Sequence, residues 1–205
     1  MKINYVIGAF LCVLGCYACS SPKTEVQSPD GHIKMTLTVD ENGKPFYNVS
    51  VDDSLLIENS AMGFTAANGI ILAEGFQVKN TTFSSEDETW TQPWGENKKN
   101  RNHYNEMAVS LTNEDQVQLT LRFRVFDDGI GFRYEYTVPT VDSLLITDEL
   151  TTFRFHRDGT SWSIPASAET YELLYQQQPI SEVETANTPF TFKTADGVYG
   201  SIHEA

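Results

Sequence analysis

Between Glu86 and Glu106 the chain gathers Trp90, Trp94, Glu96, Arg101, Asn102, His103, Tyr104, Asn105 and Glu106. Indole and phenol rings stack on the C–H faces of sugars, while amides, guanidinium groups and carboxylates hydrogen-bond hydroxyls. Trp90, Trp94 and Tyr104 are therefore candidate substrate-binding residues. A plainer role competes with this one: Trp90 and Trp94 as packing anchors, with Arg101 and Glu106 as an ion pair. His103 and Glu106 have only an H-x-x-E spacing, and on a strand residues three apart face opposite sides, which argues against a zinc pair. His32, His156 and His203 add no ligand spacing to them. The paired acids Asp127-Asp128 lead straight into Gly129, the mark of a hairpin turn, where acids are routine.

These residues need strands to hold them, and the sequence supplies the pattern. From Ile33 apolar residues alternate through Met35, Leu37 and Val39, and after Asn42-Gly43 through Tyr47, Val49 and Val51, the period-two signal of half-buried strands. The stretch from Glu106 to Val138 repeats it three times, through Met107, Val109 and Leu111, then Val117 to Val125, then Ile130 to Val138. Three consecutive antiparallel strands are expected there. Asn-Gly or Asp-Gly pairs, which accept the positive φ of tight turns, recur at Asp30-Gly31, Asn42-Gly43, Asn68-Gly69, Asp128-Gly129, Asp158-Gly159 and Asp196-Gly197. No window sustains a capped 3.6-residue period; Glu169 to Gln178 suits a short helix or a strand equally. The expected fold is all-β, a large antiparallel two-sheet β-sandwich.

Composition narrows the function. With 14 Lys plus Arg against 28 Asp plus Glu, the 205-residue chain carries a formal charge of −14. A nucleic-acid binder neutralises phosphates with clustered cations, and Lys98-Lys99-Asn100-Arg101 is only one short basic loop. The chain has no G-x-S-x-G, P-loop or G-x-G-x-x-G pattern, so serine-hydrolase, nucleotide and flavin chemistry lack support.

The first segment reads as an address. Lys2 precedes an apolar run from Tyr5 to Ala18, too short to span a bilayer as a mature helix. Val13-Leu14-Gly15-Cys16 and Cys16-Tyr17-Ala18-Cys19 each resemble a bacterial lipobox, whose cysteine would carry acyl chains. All three cysteines lie here, at Cys12, Cys16 and Cys19, so the rest of the chain has no disulfide framework. Residues 1–18 are thus expected to be a lipoprotein-type signal peptide, 19–29 a polar spacer and 30–205 the folded domain. The product would be secreted to the periplasm or outer membrane, lipid-anchored or, after simple cleavage at Ala18, released. Gly200 to Ala205 stops within an apparent strand, as though the chain were truncated.

Four stretches carry a resemblance: Trp94-Gly95-Glu96; Arg101-Asn102-His103-Tyr104-Asn105-Glu106; Phe123 through Asp127-Asp128-Gly129-Ile130-Gly131-Phe132-Arg133-Tyr134; and Ser201-Ile202-His203-Glu204-Ala205. With these the sequence resembles the N-terminal domain of glycoside hydrolase family 97, over essentially everything after the signal. The long Phe123 to Tyr134 run is the most specific of them.

The resemblance implies a galactose-mutarotase-like β-super-sandwich that packs on a (β/α)₈ barrel absent from this chain. It implies exo-acting α-glucosidase or α-galactosidase activity on α-linked oligosaccharides, dependent on calcium, with the catalytic carboxylates on the barrel. In that scheme a barrel acid protonates the glycosidic oxygen, and the spacing of its partner carboxylate decides between inversion and retention. The sandwich contributes one glutamate to the calcium, and Glu204 is the residue that matches. Calcium takes six to eight oxygen ligands, so Glu204 needs partners from the barrel. The chain is expected to be inactive alone. The competing functions are a stand-alone carbohydrate-binding surface lipoprotein and a mutarotase-like enzyme, for which no facing His and Glu pair stands out.

Overall fold

The computed structural model describes residues 24–204. The signal segment and its lipobox cysteines, Cys16 and Cys19, lie outside the described residues. A first antiparallel sheet is built from β1 (Glu25–Gln27), β2 (Ile33–Val39), β3 (Pro45–Val51) and β4 (Ser54–Ala61), in that order. The sheet therefore begins inside the stretch read as a polar spacer: Val26 pairs with Met35 and is buried, which ties that stretch to the core. Two short strands, β5 (Phe64–Ala66) and β6 (Ile71–Leu72), follow.

A second large sheet runs β7 (Gln77–Thr91), β8 (Lys99–Thr112), β9 (Gln118–Phe126) and β10 (Ile130–Thr137), each pairing with the next. Its last three strands are the three expected from the alternation. β11 (Ile146–Glu149) pairs with β5, completing a three-stranded sheet. The fourth sheet takes the order β13 (Gln176–Pro179), β12 (Gly159–Ser163), β14 (Phe190–Thr194), β15 (Tyr199–Ile202). The architecture is antiparallel all-β, as expected, and its hydrogen bonds divide it into four sheets where alternation alone suggested two. Among the described residues the only helical elements are two 3₁₀ turns, Ala67–Gly69 and Ile180–Glu182. Residues 169–175 take no regular structure, and only Gln176 onward is strand.

The core lies between the first sheet and the β7–β10 sheet. Met35 and Leu37 of β2, Tyr47 of β3, Met107, Val109 and Leu111 of β8, and Leu119, Leu121, Phe123 and Val125 of β9 are all buried in one cluster. Period-two spacing puts these side chains on one face of each strand, and burying each large apolar group contributes about 1.5–3 kcal/mol. Phe132 of β10 extends the cluster, with its ring 6.0 Å from Phe123 and 5.9 Å from Tyr47. The fourth sheet joins through Phe155, which stacks edge-on to Phe192 at 4.7 Å and bridges to Ile57 of β4.

Four of the six expected turn glycines, Gly31, Gly43, Gly69 and Gly197, have positive φ. Gly159 is required for another reason: it opens β12, and a Cβ there would meet the Lys193 carbonyl oxygen at 2.1 Å.

Candidate functional site

The Glu86 to Glu106 region is a long hairpin arm. β8 pairs with β9 only from Tyr104 to Thr112, whereas it pairs with β7 all the way to Thr91 and Lys99. Beyond Asp87 and His103 the arm is therefore a two-stranded ribbon. Its loop is closed by Gln92, whose backbone N–H donates to the Lys98 carbonyl at 3.1 Å and whose side-chain amide donates to the Asn97 carbonyl at 3.0 Å. Trp94 sits in that loop with 85% of its surface exposed, and Trp90, at the ribbon's end, is 48% exposed. Trp94 is therefore no packing anchor within the described residues, while Trp90 keeps about half of its surface covered.

Arg101 does not pair with Glu106. It donates from Nε and Nη2 to the two oxygens of Asp87, across the ribbon, at 2.7 and 2.8 Å. Those hydrogen bonds lower the Asp87 pKa and raise that of Arg101. On the other face Asn102 donates to Glu88 at 3.0 Å. His103 and Glu106 point to opposite faces, as expected. His103 Nδ1 lies 3.5 Å from Asp127 Oδ2.

Tyr104 stands apart from the two indoles. It is buried, packs on Phe126 at 5.3 Å, and carries the Arg124 guanidinium 4.5 Å above its ring centre. Next to it Glu106, buried on the same face, accepts from Arg122 Nη1 at 2.5 Å and Arg124 Nε at 2.8 Å. Arg122 also donates to Glu135 at 2.7 and 3.0 Å, and Arg133 donates to Glu135 at 2.9 Å. Burial is the largest single influence on Glu106 and pushes its pKa up, but the hydrogen bonds and positive charges of Arg124 and Arg122 together outweigh it and the net shift is downward. Glu135 is lowered to about 2, first by the Arg122 hydrogen bond, with burial opposing and Arg133 adding. Residue types and spacing do not single out this ladder of five charges. Its signal lies in the alternation of Arg122 and Arg124 with the buried apolar residues of β9, which puts both arginines on the outer face.

Asp127 is a tie between strands, accepting the Asp30 backbone N–H at 2.9 Å from the turn before β2. His156 Nδ1 lies 2.7 Å from a Glu58 carboxylate oxygen and His32 Nδ1 contacts Asp52, so each imidazole is engaged with a carboxylate near the surface. Among the described residues no group of three or more His, Cys, Asp or Glu side chains is placed to hold a metal ion. Glu204 lies exposed two residues past the end of β15, beside His203.

Residues 26–205 match the family described as Glycosyl-hydrolase 97 N-terminal. The chain is 26% identical over 133 residues to a retaining alpha-galactosidase of Bacteroides thetaiotaomicron, an alignment that covers 65% of this chain and 19% of that protein. It is also similar to the solved structure of a Glycoside Hydrolase Family 97 enzyme from Pseudoalteromonas sp. strain K8 in complex with panose. There the TM-score is 0.81 and the identity 37%, over 88% of this chain and 28% of that one. A beta-arabinopyranosidase shares the fold, with a TM-score of 0.73 at 24% identity over 83% of this chain and 29% of its own. The chain thus spans less than a third of the length of each of these relatives. With a match that runs from β1 to the last residue, the chain belongs to the glycosyl-hydrolase 97 N-terminal family.

Proposed function

We propose that this chain is the N-terminal sandwich of a calcium-dependent, exo-acting α-glycosidase that removes glucose or galactose from α-linked oligosaccharides, and that a catalytic (β/α)₈ barrel follows it in the complete gene product. The single observation that carries the reading is the family match over residues 26–205, in a chain spanning 19% of one relative and 28% of another. In this reading the sandwich lends Glu204 to a calcium ion and gives the barrel a surface to rest on.

The residues fit that role in a limited way. Glu204 offers hard carboxylate oxygens of the kind calcium prefers, and it is exposed at the end of a strand rather than engaged in the core. No second or third carboxylate accompanies it among the described residues, so it is one ligand of a shell that other parts of the enzyme complete. Calcium, when bound, supplies a fixed positive charge that orients substrate and stabilises negative charge at the reacting centre. This chain's own contribution is to anchor Glu204 through β15, which pairs with β14 from Phe190 to Lys193 and so fixes where the carboxylate emerges. We further propose that residues 1–18 direct export and that Cys16 or Cys19 carries the lipid.

A stand-alone sugar-binding lipoprotein is the second reading, and the exposure of Trp90 and Trp94 favours it. Hydrolysis of p-nitrophenyl α-glucoside and α-galactoside separates the two. Under the first reading residues 24–205 are inert, while the complete gene product turns over at least one substrate and loses that activity to a calcium chelator. A gene that stops after Ala205, or turnover by the sandwich alone, contradicts it.

A further inference from the structure

The ribbon at the end of the β7–β8 hairpin is unsupported within the sandwich. Five residue pairs, from Asp87 and His103 out to Thr91 and Lys99, have no third strand beside them among the described residues. At about 3.4 Å per residue this is a projection of roughly 17 Å, with the Gln92–Lys98 loop beyond it. An isolated two-stranded ribbon is marginally stable in water and gains its stability from a further strand or an apolar surface. Here the ribbon's cross-strand links are polar and exposed, Arg101 to Asp87 and Asn102 to Glu88. Its apolar groups, Trp90 and Trp94, are at the far end, where Trp90 is half-exposed and Trp94 almost fully so. An indole on a projecting arm, more than four-fifths exposed, is the anatomy of an anchor for another surface.

We infer that this arm is a docking device whose tip inserts Trp94 and Trp90 into the part of the complete enzyme that lies beyond residue 205. The inference rests on the reading proposed above, and it names the contact by which the two parts hold together. The 133 residues aligned with the alpha-galactosidase make up only 19% of it, so the bulk of such a polypeptide lies outside this sandwich and the occupant is at hand in the same chain. Charge also points to a protein surface: Lys98 and Lys99, both exposed, flank the indoles, with Glu96 as the one acid of the same loop. In a chain of net charge −14, this places exposed cations where carboxylates on the receiving rim would meet them. A sugar site is less well matched, because the groove beside Trp94 is open and is lined by Thr91, Gln92, Pro93, Gly95 and Lys98 with no buried polar group to orient a ligand.

The test uses the complete gene product with p-benzoylphenylalanine in place of Trp94, irradiated and mapped by proteolysis and mass spectrometry. The expected result is a crosslink within one chain to a residue beyond 205. As a second measurement, Trp90→Ser and Trp94→Ser together should speed amide exchange over residues 87–103 of the complete product by about tenfold or more, because an undocked ribbon opens locally. Crosslinks to a second copy, or none to residues beyond 205 with exchange unchanged by the substitutions, would overturn the inference. Glycoside turnover is scored separately on the same unmodified product. Turnover with a free arm removes only this inference, whereas a product that ends at Ala205 removes both this and the reading beneath it.

Discussion

The guanidinium of Arg124 lies 4.5 Å above the centre of the Tyr104 ring and also donates to Glu106 at 2.8 Å. The face of Tyr104 that a sugar would need is therefore occupied by the protein itself, and Phe126 packs on the ring as well. Tyr104→Ala is expected to cost about 2–4 kcal/mol of stability, as for other large-to-small changes at buried aromatic sites. Urea unfolding of the sandwich checks this. A variant that unfolds like the parent but loses affinity for an oligosaccharide would restore Tyr104 as a sugar contact.

Glu106 is shared by two arginines and its side chain is only 10% exposed. Glu106→Gln leaves Arg124 without a carboxylate, while Arg122 keeps Glu135. Because Arg122 and Arg124 are 26% and 41% exposed, solvent recovers part of the loss, and the expected cost is about 1–2 kcal/mol rather than that of a fully buried pair. Chemical denaturation at neutral pH reads it, and a change of less than a few tenths would mean the ladder is decorative.

Acid should act through the same ladder. Glu135 ionises at about 2 in the fold against an ordinary value of 4.5, so the folded state binds its proton less readily than the unfolded chain does. A depressed carboxylate contributes stability that is fully present above pH about 4.5 and is lost as pH falls toward about 2. Unfolding free energy measured across that window is expected to fall with acid, and Glu135→Gln is expected to flatten the slope. An unchanged slope in the variant would locate acid sensitivity elsewhere.

Two turn glycines separate conformation from crowding. Gly31 and Gly43 both have positive φ, but a Cβ at Gly31 meets nothing within 4 Å, whereas at Gly43 it would lie 2.2 Å from the Phe76 backbone nitrogen. Gly31→Ala should cost about 1 kcal/mol from backbone strain alone. Gly43→Ala should cost at least about 2 kcal/mol, because the chain around Phe76 must also move. Thermal melts of the two variants give the comparison, and equal shifts would show that the close approach carries no energy.

The strands that alternate cleanly are legible in the amino-acid sequence. Met35, Leu37, Val109, Leu121 and Phe123 announce their buried faces because a pleated strand turns every second side chain the same way. The turn at Asn42-Gly43 is legible too, since positive φ selects glycine. What alternation does not encode is which strand pairs with which. The division into four sheets depends on long-range registers, such as β11 joining β5 with Ile146 opposite Ala66. Ion pairs are hidden for the same reason. The partners of Glu106 lie 16 and 18 residues away, on a neighbouring strand, while the nearer Arg101 turns instead to Asp87 across the hairpin. At the candidate site, residue types flag Trp90, Trp94 and Tyr104 together. Only the register separates them, placing the indoles on a free ribbon and Tyr104 where β9 joins β8.

The shared calcium ion is the central claim, and direct binding tests it best. In the complete gene product stripped of metal, isothermal titration with calcium is compared between the parent and Glu204→Gln, with Glu182→Gln as an exposed acidic control on the sandwich. Removal of a charged oxygen ligand is expected to weaken calcium binding by about tenfold or more, because affinity in such sites follows the number of ligand charges, and the control should bind like the parent. Identical calcium isotherms for the parent and Glu204→Gln would contradict the account.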